Sequence, residues 1–112
     1  MVFFIDVDGV LLEQHGPSSA QWNEYRAPLL GAVQYLNELE KAGHHIVLVT
    51  ARRGTILEDN LRRVGIIYHQ LVYVPKGERV LIDNNFVRAI QVEKNHAYDL
   101  GVEVRERISH LF

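Results

Sequence analysis

Side chains capable of phosphoryl chemistry follow four apolar segments of this sequence. Asp6 and Asp8 end the first segment, Thr50 ends the second, Lys76 comes after the third and Asp83 ends the fourth. The i, i+2 spacing of Asp6 and Asp8 points both carboxylates to the same side of an extended chain. Two carboxylates this close repel each other unless they share a cation or a proton. The pattern therefore predicts a charged site rather than ordinary turn residues.

These residue types favour a site that binds Mg²⁺ and a phosphoryl group. Three carboxylates match the oxygen ligands of a hard cation, and Mg²⁺ commonly bridges protein carboxylates to a phosphate. Gly9 permits a sharp turn that brings backbone N–H groups towards an anion. Thr50 is suited to donate to a phosphoryl oxygen, and Lys76 to neutralise its charge. Alone, each of these two is better explained as a cap or a solvated loop residue, so the prediction depends on the ordered set.

A parallel sheet is predicted to position these residues. Dense apolar runs predict strands at residues 2–7, 46–49, 71–74 and 80–82. Helical spacing predicts helices at 28–42 and 55–64, the second opened by a capping box and closed by Gly65. This alternation predicts an α/β fold, a Rossmann-like parallel sheet with helices on both faces. Ligands of such sheets bind at the carboxyl ends of the strands.

The last quarter of the chain has a weaker pattern. Residues 86–100 are predicted to contain a helix capped by Gly101. Residues 102–104 fit a short edge strand, and residues 106–111 fit a last helical turn or two.

Composition predicts a single domain covering residues 1–112. The chain is 47% hydrophobic and 23% charged, which is typical of globular proteins and excludes intrinsic disorder. It has no Cys, which excludes disulfides and thiolate metal sites. A net charge of −2 disfavours nucleic acid and anionic membranes as partners. Because the start MVFFID lacks signal-peptide features and no apolar run is long enough to span a membrane, a cytoplasmic protein is expected.

The ordered motifs resemble those of the haloacid dehalogenase superfamily of phosphohydrolases. The first motif of that family, DxDGx(T/V), is matched by DVDGV at residues 6–10, and the second by TAR at residues 50–52. Lys76 matches the third motif, and DNN at residues 83–85 matches the acidic fourth motif. The ordered set is far more specific than any one motif, and it spans most of the chain.

The resemblance implies a magnesium-dependent phosphatase that hydrolyses a phosphomonoester through an aspartyl-phosphate. Asp6 would be the nucleophile, and Asp8 would first protonate the leaving oxygen and then deprotonate water. Asp6, the backbone carbonyl of Asp8, and Asp83 would hold Mg²⁺. Thr50 and Lys76 would orient and neutralise the phosphoryl group. Because family members that cleave other bonds often lack an acid at the position of Asp8, the resemblance favours phosphate esters.

Substrate contacts are expected from the residues next to the first two motifs. They are Gly9, Ala51 and Arg52, with His15 and Trp22 in the loop after the first motif as further candidates. The remaining histidines show no metal-ligand spacing and are interpreted as structural or solvated.

The resemblance also indicates a protein without a cap domain, because the stretch at 13–27 is too short to form one. Similar capless members act on large substrates or oligomerise so that a neighbouring copy covers the site. The likeness extends loosely to small bacterial phosphatases of capsule and acidic-sugar synthesis. This suggests a small phosphorylated substrate such as a sugar phosphate, and a homo-oligomer that covers the open site.

Three alternatives share part of this pattern. A response-regulator receiver is disfavoured, because its acidic pair and phospho-acceptor precede its Thr and Lys, whereas Thr50 and Lys76 here precede Asp83. A catalytically impaired binding module is supported only by Asn84, which stands where the family has a second acid. A phosphotransferase would use the same aspartyl-phosphate with an acceptor other than water, and the sequence does not separate it from a hydrolase.

Overall fold

The computed structural model of the protein describes residues 1–16 and 24–110. Within these residues the order is β1 (Val2–Asp6), α1 (Ala32–Lys41), β2 (His45–Thr50), α2 (Leu57–Val64), β3 (Gln70–Tyr73) and α3 (Leu100–His110). None of these helices is long and apolar enough to cross a membrane. This element order confirms the three strands and two helices predicted between residues 2 and 74, although the first and last residues of the elements differ from the predicted ones.

The strands form the parallel sheet that the sequence predicts. They lie in the order β1-β2-β3, with Ile5 beside Leu48 and Leu48 beside Leu71. Since side chains alternate between the faces of a strand, these three residues share one face with Phe3 and Ile46. That face carries the buried core.

The core forms where the helices pack on this face. Helix α1 buries residues at helical spacing, namely Ala32, Tyr35, Leu36 and Leu39. They join buried residues of β2, α2 and α3 in one apolar cluster that includes Ile46, Leu48, Leu57, Leu61, Leu100 and Val104. Phe3 of β1 meets Tyr35 of α1 edge to face, with ring centroids 6.4 Å apart.

The opposite face of the sheet exposes apolar side chains, although Val47 on it is 4% exposed. The buried residues of the described helices join the core on the first face, so helices on both faces are not seen in the described part of the chain. Phe4 is 63% exposed, Val2 55% and Val72 41%. The strand order explains this, because both crossovers step in the same direction across the sheet. Crossover connections of the same handedness that move in the same direction across a sheet place their helices on the same face of that sheet.

Residues 80–82 are not a strand, contrary to the sequence prediction. Val80 and Ile82 are 81% and 91% exposed, and β1 pairs only with β2 among the described residues. Three residues offer few ladder hydrogen bonds, and the segment stops at a local turn in which the N–H of Asn85 donates to Asp83 Oδ1 at 3.0 Å. The edge of β1 away from β2 therefore has no strand beside it in the described chain.

Helix α2 begins without the predicted capping box. Its N-cap is Ile56, which makes no side-chain hydrogen bond to the helix end. Its predicted end is confirmed, because Gly65 is left-handed at φ 85° and its N–H donates to the carbonyl of Arg62 at 3.1 Å.

Helix α3 replaces the predicted edge strand at 102–104, and residues 86–99 contain no helix. Asn95 has a φ of 53°, which interrupts any helix through this stretch. The carboxylate of Asp99 then accepts the N–H of Val102 at 3.1 Å, which starts α3 after Asp99. Gly101 lies inside the helix rather than after its end, and a Cβ there would stand 3.1 Å from the ring of Tyr35. The helix predicted over 106–111 is confirmed as far as His110.

The chain between β1 and α1 leaves the sheet and returns through an antiparallel closure. The N–H of Glu13 donates to the carbonyl of Ala27 at 2.9 Å, and the N–H of Leu29 donates to Leu11 at 2.8 Å. The residues between these pairs, 14–26, are called the excursion. Its described ends reach over the carboxyl end of the sheet.

Candidate active site

A large groove lies across the carboxyl end of the sheet and along the open edge of β1. Its volume is about 1740 Å³. Its lining includes most of the predicted site residues: Asp6, Asp8, Thr50, Ala51, Arg52, Lys76 and Asp83. Parallel strands bring residues that are distant in sequence to one edge, and Asp6 and Thr50 lie at the ends of β1 and β2 in this way.

Asp6 is the accessible carboxylate of the acidic pair. Its side chain is 39% exposed, and Arg79 Nη2 lies 3.4 Å from its Oδ1. Burial raises the pKa of Asp6; Arg79 opposes this shift, and the charge of Asp8 adds to it. Sequence reasoning missed Arg79, because it follows Lys76 in a loop that offers no motif. Asp6 is placed where a substrate in the groove could reach it.

Asp8 is held between two arginines. Arg26 Nη1 lies 3.0 Å from its Oδ1, and Arg52 Nε lies 3.4 Å from its Oδ2. The side chain of Asp8 is 15% exposed, and those of the two arginines are nearly inaccessible. Each carboxylate oxygen thus faces one guanidinium as an ion pair, although neither Asp8 Oδ1 nor Arg52 Nε makes a hydrogen bond among the described residues. Arg26 was also missed, since an isolated Arg in a loop carries no sequence signal for this role.

Helix α2 holds Arg26 in place. The side chain of Asn60, which is 1% exposed, accepts the N–H of Arg26 at 2.8 Å and donates to its carbonyl at 3.0 Å. Beside it, the hydroxyl of Tyr25 donates to Asp59 Oδ2 at 2.5 Å. Arg52 Nη1 donates to the carbonyl of Glu24 at 3.2 Å. The returning end of the excursion is therefore anchored to α2 and to the loop after β2.

Replacing Asn60 with Ala is expected to lower the free energy of unfolding by about 2 kcal/mol, because it leaves buried backbone groups of Arg26 without partners. Urea unfolding monitored by circular dichroism measures the loss. Asn37→Ala in α1 is the matched control and should change stability by less than about 0.5 kcal/mol. Equal losses in the two variants would contradict the anchoring role of Asn60.

Thr50 and Gly9 stand at the turns that follow β2 and β1. Thr50 is 1% exposed, and its Oγ1 accepts the N–H of Arg52 at 3.0 Å, which leaves its O–H available as a donor. Gly9 adopts the predicted sharp turn with a φ of 86°. Its N–H donates to the carbonyl of Leu12 at 2.7 Å and so is not directed to an anion as expected.

Lys76 and Asp83 lie on exposed loops of the groove. In the described part of the chain, no three His, Cys, Asp or Glu side chains are grouped closely enough to hold a metal ion. Asp83 instead closes its own turn with Asn85. The structure therefore brings Asp6 and Asp8 together but does not add Asp83 to them. This follows from residues 80–82 lying outside the sheet.

The loop that precedes α3 makes hydrogen bonds to the chain that follows Asp8. The side-chain amide of Asn95 accepts the N–H of Gln14 at 2.7 Å and donates to its carbonyl at 3.0 Å. His96 is 3% exposed and lies 2.8 Å through Nε2 from the carbonyl of Val10. Of the two expectations for His96, structural or solvated, its burial and this contact fit the structural one. Asn95 gave no sequence signal, because its partners are backbone groups far away in the chain.

His15 joins the two ends of the excursion. Its Nδ1 lies 3.0 Å from Glu24 Oε2 and its Nε2 lies 3.2 Å from Glu13 Oε2. Hydrogen bonds to Glu24 and Glu13 raise the pKa of His15, while burial and the charge of Arg26 act in the opposite sense. Trp22, the other candidate contact in this stretch, lies outside the described residues.

The raised pKa of His15 predicts a pH-dependent contribution to stability. The protonated ring stabilises the fold fully below its ordinary pKa of 6.5, and the contribution is lost as pH rises through the folded value. We expect the wild type to unfold at a higher temperature than His15→Gln at about pH 5.5, and the two to converge near about pH 9. A difference that persists unchanged at alkaline pH would contradict this role.

No protein-family model matches the chain, and no similar curated protein or solved structure was found.

Proposed function

We propose that this protein is a phosphatase of the haloacid dehalogenase type that hydrolyses a phosphomonoester through an aspartyl-phosphate, with Mg²⁺ as its cofactor. The observation that carries the proposal is the contrast between Asp6 and Asp8. One carboxylate is accessible in the groove, and its neighbour two residues later is mostly buried and ion-paired with Arg26 and Arg52. Nucleophilic and acid–base roles make these two different demands.

In the proposed reaction, a carboxylate oxygen of Asp6 attacks phosphorus and forms an O–P bond while the ester P–O bond breaks. The leaving oxygen takes a proton from Asp8, which must give up its ion pairs with Arg26 and Arg52 to carry that proton. The resulting Asp8 carboxylate then removes a proton from a water that attacks the aspartyl-phosphate. The O–P bond to Asp6 breaks, inorganic phosphate leaves, and both aspartates return to their starting states.

Cationic and hydroxyl groups of the groove support the phosphoryl group in this proposal. Lys76 and Arg79 line the groove with Asp6 and are suited to neutralise phosphoryl oxygens. The O–H of Thr50 is available to donate at the floor of the same groove. Receptor-type binding without chemistry would not require the exposed carboxylate.

The residues fit a magnesium ion in part. Asp6 and Asp8 supply the oxygen donors that Mg²⁺ prefers, and Asp83 lines the same groove without joining them. When bound, Mg²⁺ would neutralise charge on the phosphoryl oxygens. Because Asp83 lies apart from Asp6 and Asp8, the binding-module alternative gains a specific observation in its favour. It adds to the presence of Asn84 where the resembled family has a second acid.

A small phosphorylated molecule such as a sugar phosphate remains the proposed substrate class. A second copy of the chain that covers the groove remains part of the proposal. So does a cytoplasmic location.

The test is phosphate release from a generic aryl phosphate with Mg²⁺ and, separately, with EDTA. The proposal expects turnover that requires Mg²⁺. Transfer of the phosphoryl group to an added alcohol in preference to water would instead identify a phosphotransferase. Absence of turnover with the aryl phosphate and with a panel of sugar phosphates, in protein shown to be folded, would overturn the phosphatase and favour the binding module.

A further inference from the structure

The side chain of Gln14 lies in the groove beside the turn that follows Asp8. Gln14 lines the groove together with Asp8. Its Oε1 lies 3.1 Å from the position that a Cβ on Gly9 would occupy, so the missing side chain of Gly9 makes room for the amide. The hydrogen bonds that Gln14 makes to the described residues all use its backbone groups. Its side-chain amide is therefore available to a ligand in the groove.

Asn95 fixes the backbone from which this amide projects. Its side chain accepts the N–H of Gln14 and donates to the carbonyl of the same residue. Its own backbone N–H donates to the carbonyl of Gly9 at 2.9 Å. One residue thus holds both Gly9 and Gln14, which orients the amide before a ligand binds and lowers the entropic cost of binding.

The chemistry of an amide distinguishes between the two halves of a phosphomonoester. A primary amide both donates and accepts hydrogen bonds and carries no charge, and a hydroxyl group matches it in both respects. Ionised phosphoryl oxygens only accept, and the cations of the groove suit them better. In the proposed reaction Asp8 protonates the leaving oxygen, and Gln14 lies against Gly9, the next residue along the chain. The amide therefore stands on the leaving-group side of the site.

We propose that Gln14 is a specificity-determining residue whose amide hydrogen-bonds a hydroxyl group of the leaving alcohol, and that Asn95 positions it. The inference rests on the proposed phosphatase and deepens it. It assigns the substrate class to phosphomonoesters of polyhydroxylated alcohols, because a site built to hydrogen-bond a hydroxyl discriminates against analogues that lack one.

Gln14→Met tests the amide, since Met has a similar length and no hydrogen-bonding amide. With the sugar phosphate that the wild type hydrolyses fastest, we expect KM to rise about tenfold and kcat to change by less than about twofold. With phenyl phosphate, which has no hydroxyl group, both constants should stay within about twofold of the wild type. Gln34→Met removes an exposed amide from α1, outside the groove, and should match the wild type with both substrates. Equal effects of Gln14→Met on the two substrates would overturn the proposal.

Asn95→Gly tests the positioning role. Gly tolerates the φ of 53° at this position and keeps the backbone N–H that donates to Gly9, so the variant loses only the side-chain contacts to Gln14. We expect KM for the sugar phosphate to rise by about threefold or more, with KM for phenyl phosphate unchanged. A purely structural role would lower the melting temperature without separating the two substrates. That result would overturn the positioning role of Asn95.

Binding measurements keep this inference separate from the phosphatase proposal. Calorimetric titration of the sugar phosphates, with Mg²⁺ present, compares Asp6→Asn with the double variant Asp6→Asn/Gln14→Met, in which no covalent intermediate forms. About tenfold weaker binding to the double variant would support the role of Gln14 even if the wild type showed no turnover and the phosphatase were rejected. Equal binding to the two proteins, or no binding to Asp6→Asn, would overturn the inference. Turnover of phenyl phosphate alone would retain the phosphatase and reject the proposed substrate class.

Discussion

Asp6→Asn is expected to reduce phosphate release from an aryl phosphate by at least about 10³-fold, because the amide cannot form the covalent intermediate. The substitution preserves the shape of the side chain at the end of β1. Steady-state rates of the wild type and the variant at saturating Mg²⁺ measure the effect. Matching circular dichroism spectra would show that both proteins are folded.

Glu78→Gln is the matched control for this prediction. Glu78 is an exposed carboxylate of the same groove with no role in the proposed reaction, and its variant should retain the wild-type rate. The pKa of Asp6 is raised by burial, and the nucleophile must be ionised. The wild-type rate should therefore fall on acidification at a pH above the ordinary carboxyl pKa of 3.8. An Asp6→Asn variant with more than about a tenth of the wild-type rate would exclude the covalent mechanism.

Phe3→Ala is expected to destabilise the protein by about 3 kcal/mol, whereas Phe4→Ala should cost less than about 1 kcal/mol. The two residues are adjacent in β1 and chemically identical, but they occupy opposite faces of the sheet. Phe3 packs on Tyr35 and lies with its ring centroid 5.3 Å from that of His44. Phe4 is 63% exposed. Chemical denaturation of the two variants compares the faces directly.

This pair tests whether the helices cover one face of the sheet. Comparable losses from both substitutions would show that Phe4 is buried in solution and that a second layer covers its face. In that case, a variant with Lys at position 4 would identify the cover. If a second copy provides it, this variant should be monomeric at concentrations where the wild type is not.

Much of the fold up to residue 74 was predictable because its signals are local. The runs VFFID and IVLV are dense apolar segments typical of strands, although β1 is exposed on one face, and the spacing of Leu36 and Leu39 fits one helix face. Gly65 ended α2 as expected. The face of the sheet on which the helices pack could not be predicted from local sequence, because it depends on the order in which the strands pair.

Later segments failed where two local interpretations competed. VLI at 80–82 has the composition of a strand, but strand formation requires a neighbour that composition does not reveal. Gly101 resembled a helix end because Gly commonly follows helices. Its actual role depends on a close approach to Tyr35, two helices away. Asp99 was the informative residue, since Asp is a preferred N-cap.

Some residues of the candidate site could likewise be predicted from local sequence, and others could not. Asp6, Asp8 and Thr50 were predictable because motif order and strand ends mark them. Arg26 and Asn60 were not, because their importance arises only when the excursion folds back onto α2. Motifs identify groups suited to the chemistry, whereas the residues that orient those groups are chosen by tertiary contact.

The antiparallel closure at the base of the excursion has a consequence for how this protein could evolve. Because the hydrogen bonds from Glu13 to Ala27 and from Leu29 to Leu11 fix the two ends, the fold does not depend on the length of chain between them. Each doubling of such a loop costs only about 0.6 kcal/mol. A new module could be inserted between Gly16 and Glu24 at little expense to the sheet. The stretch between Gly16 and Glu24 is thus a suitable place for acquiring specificity by insertion.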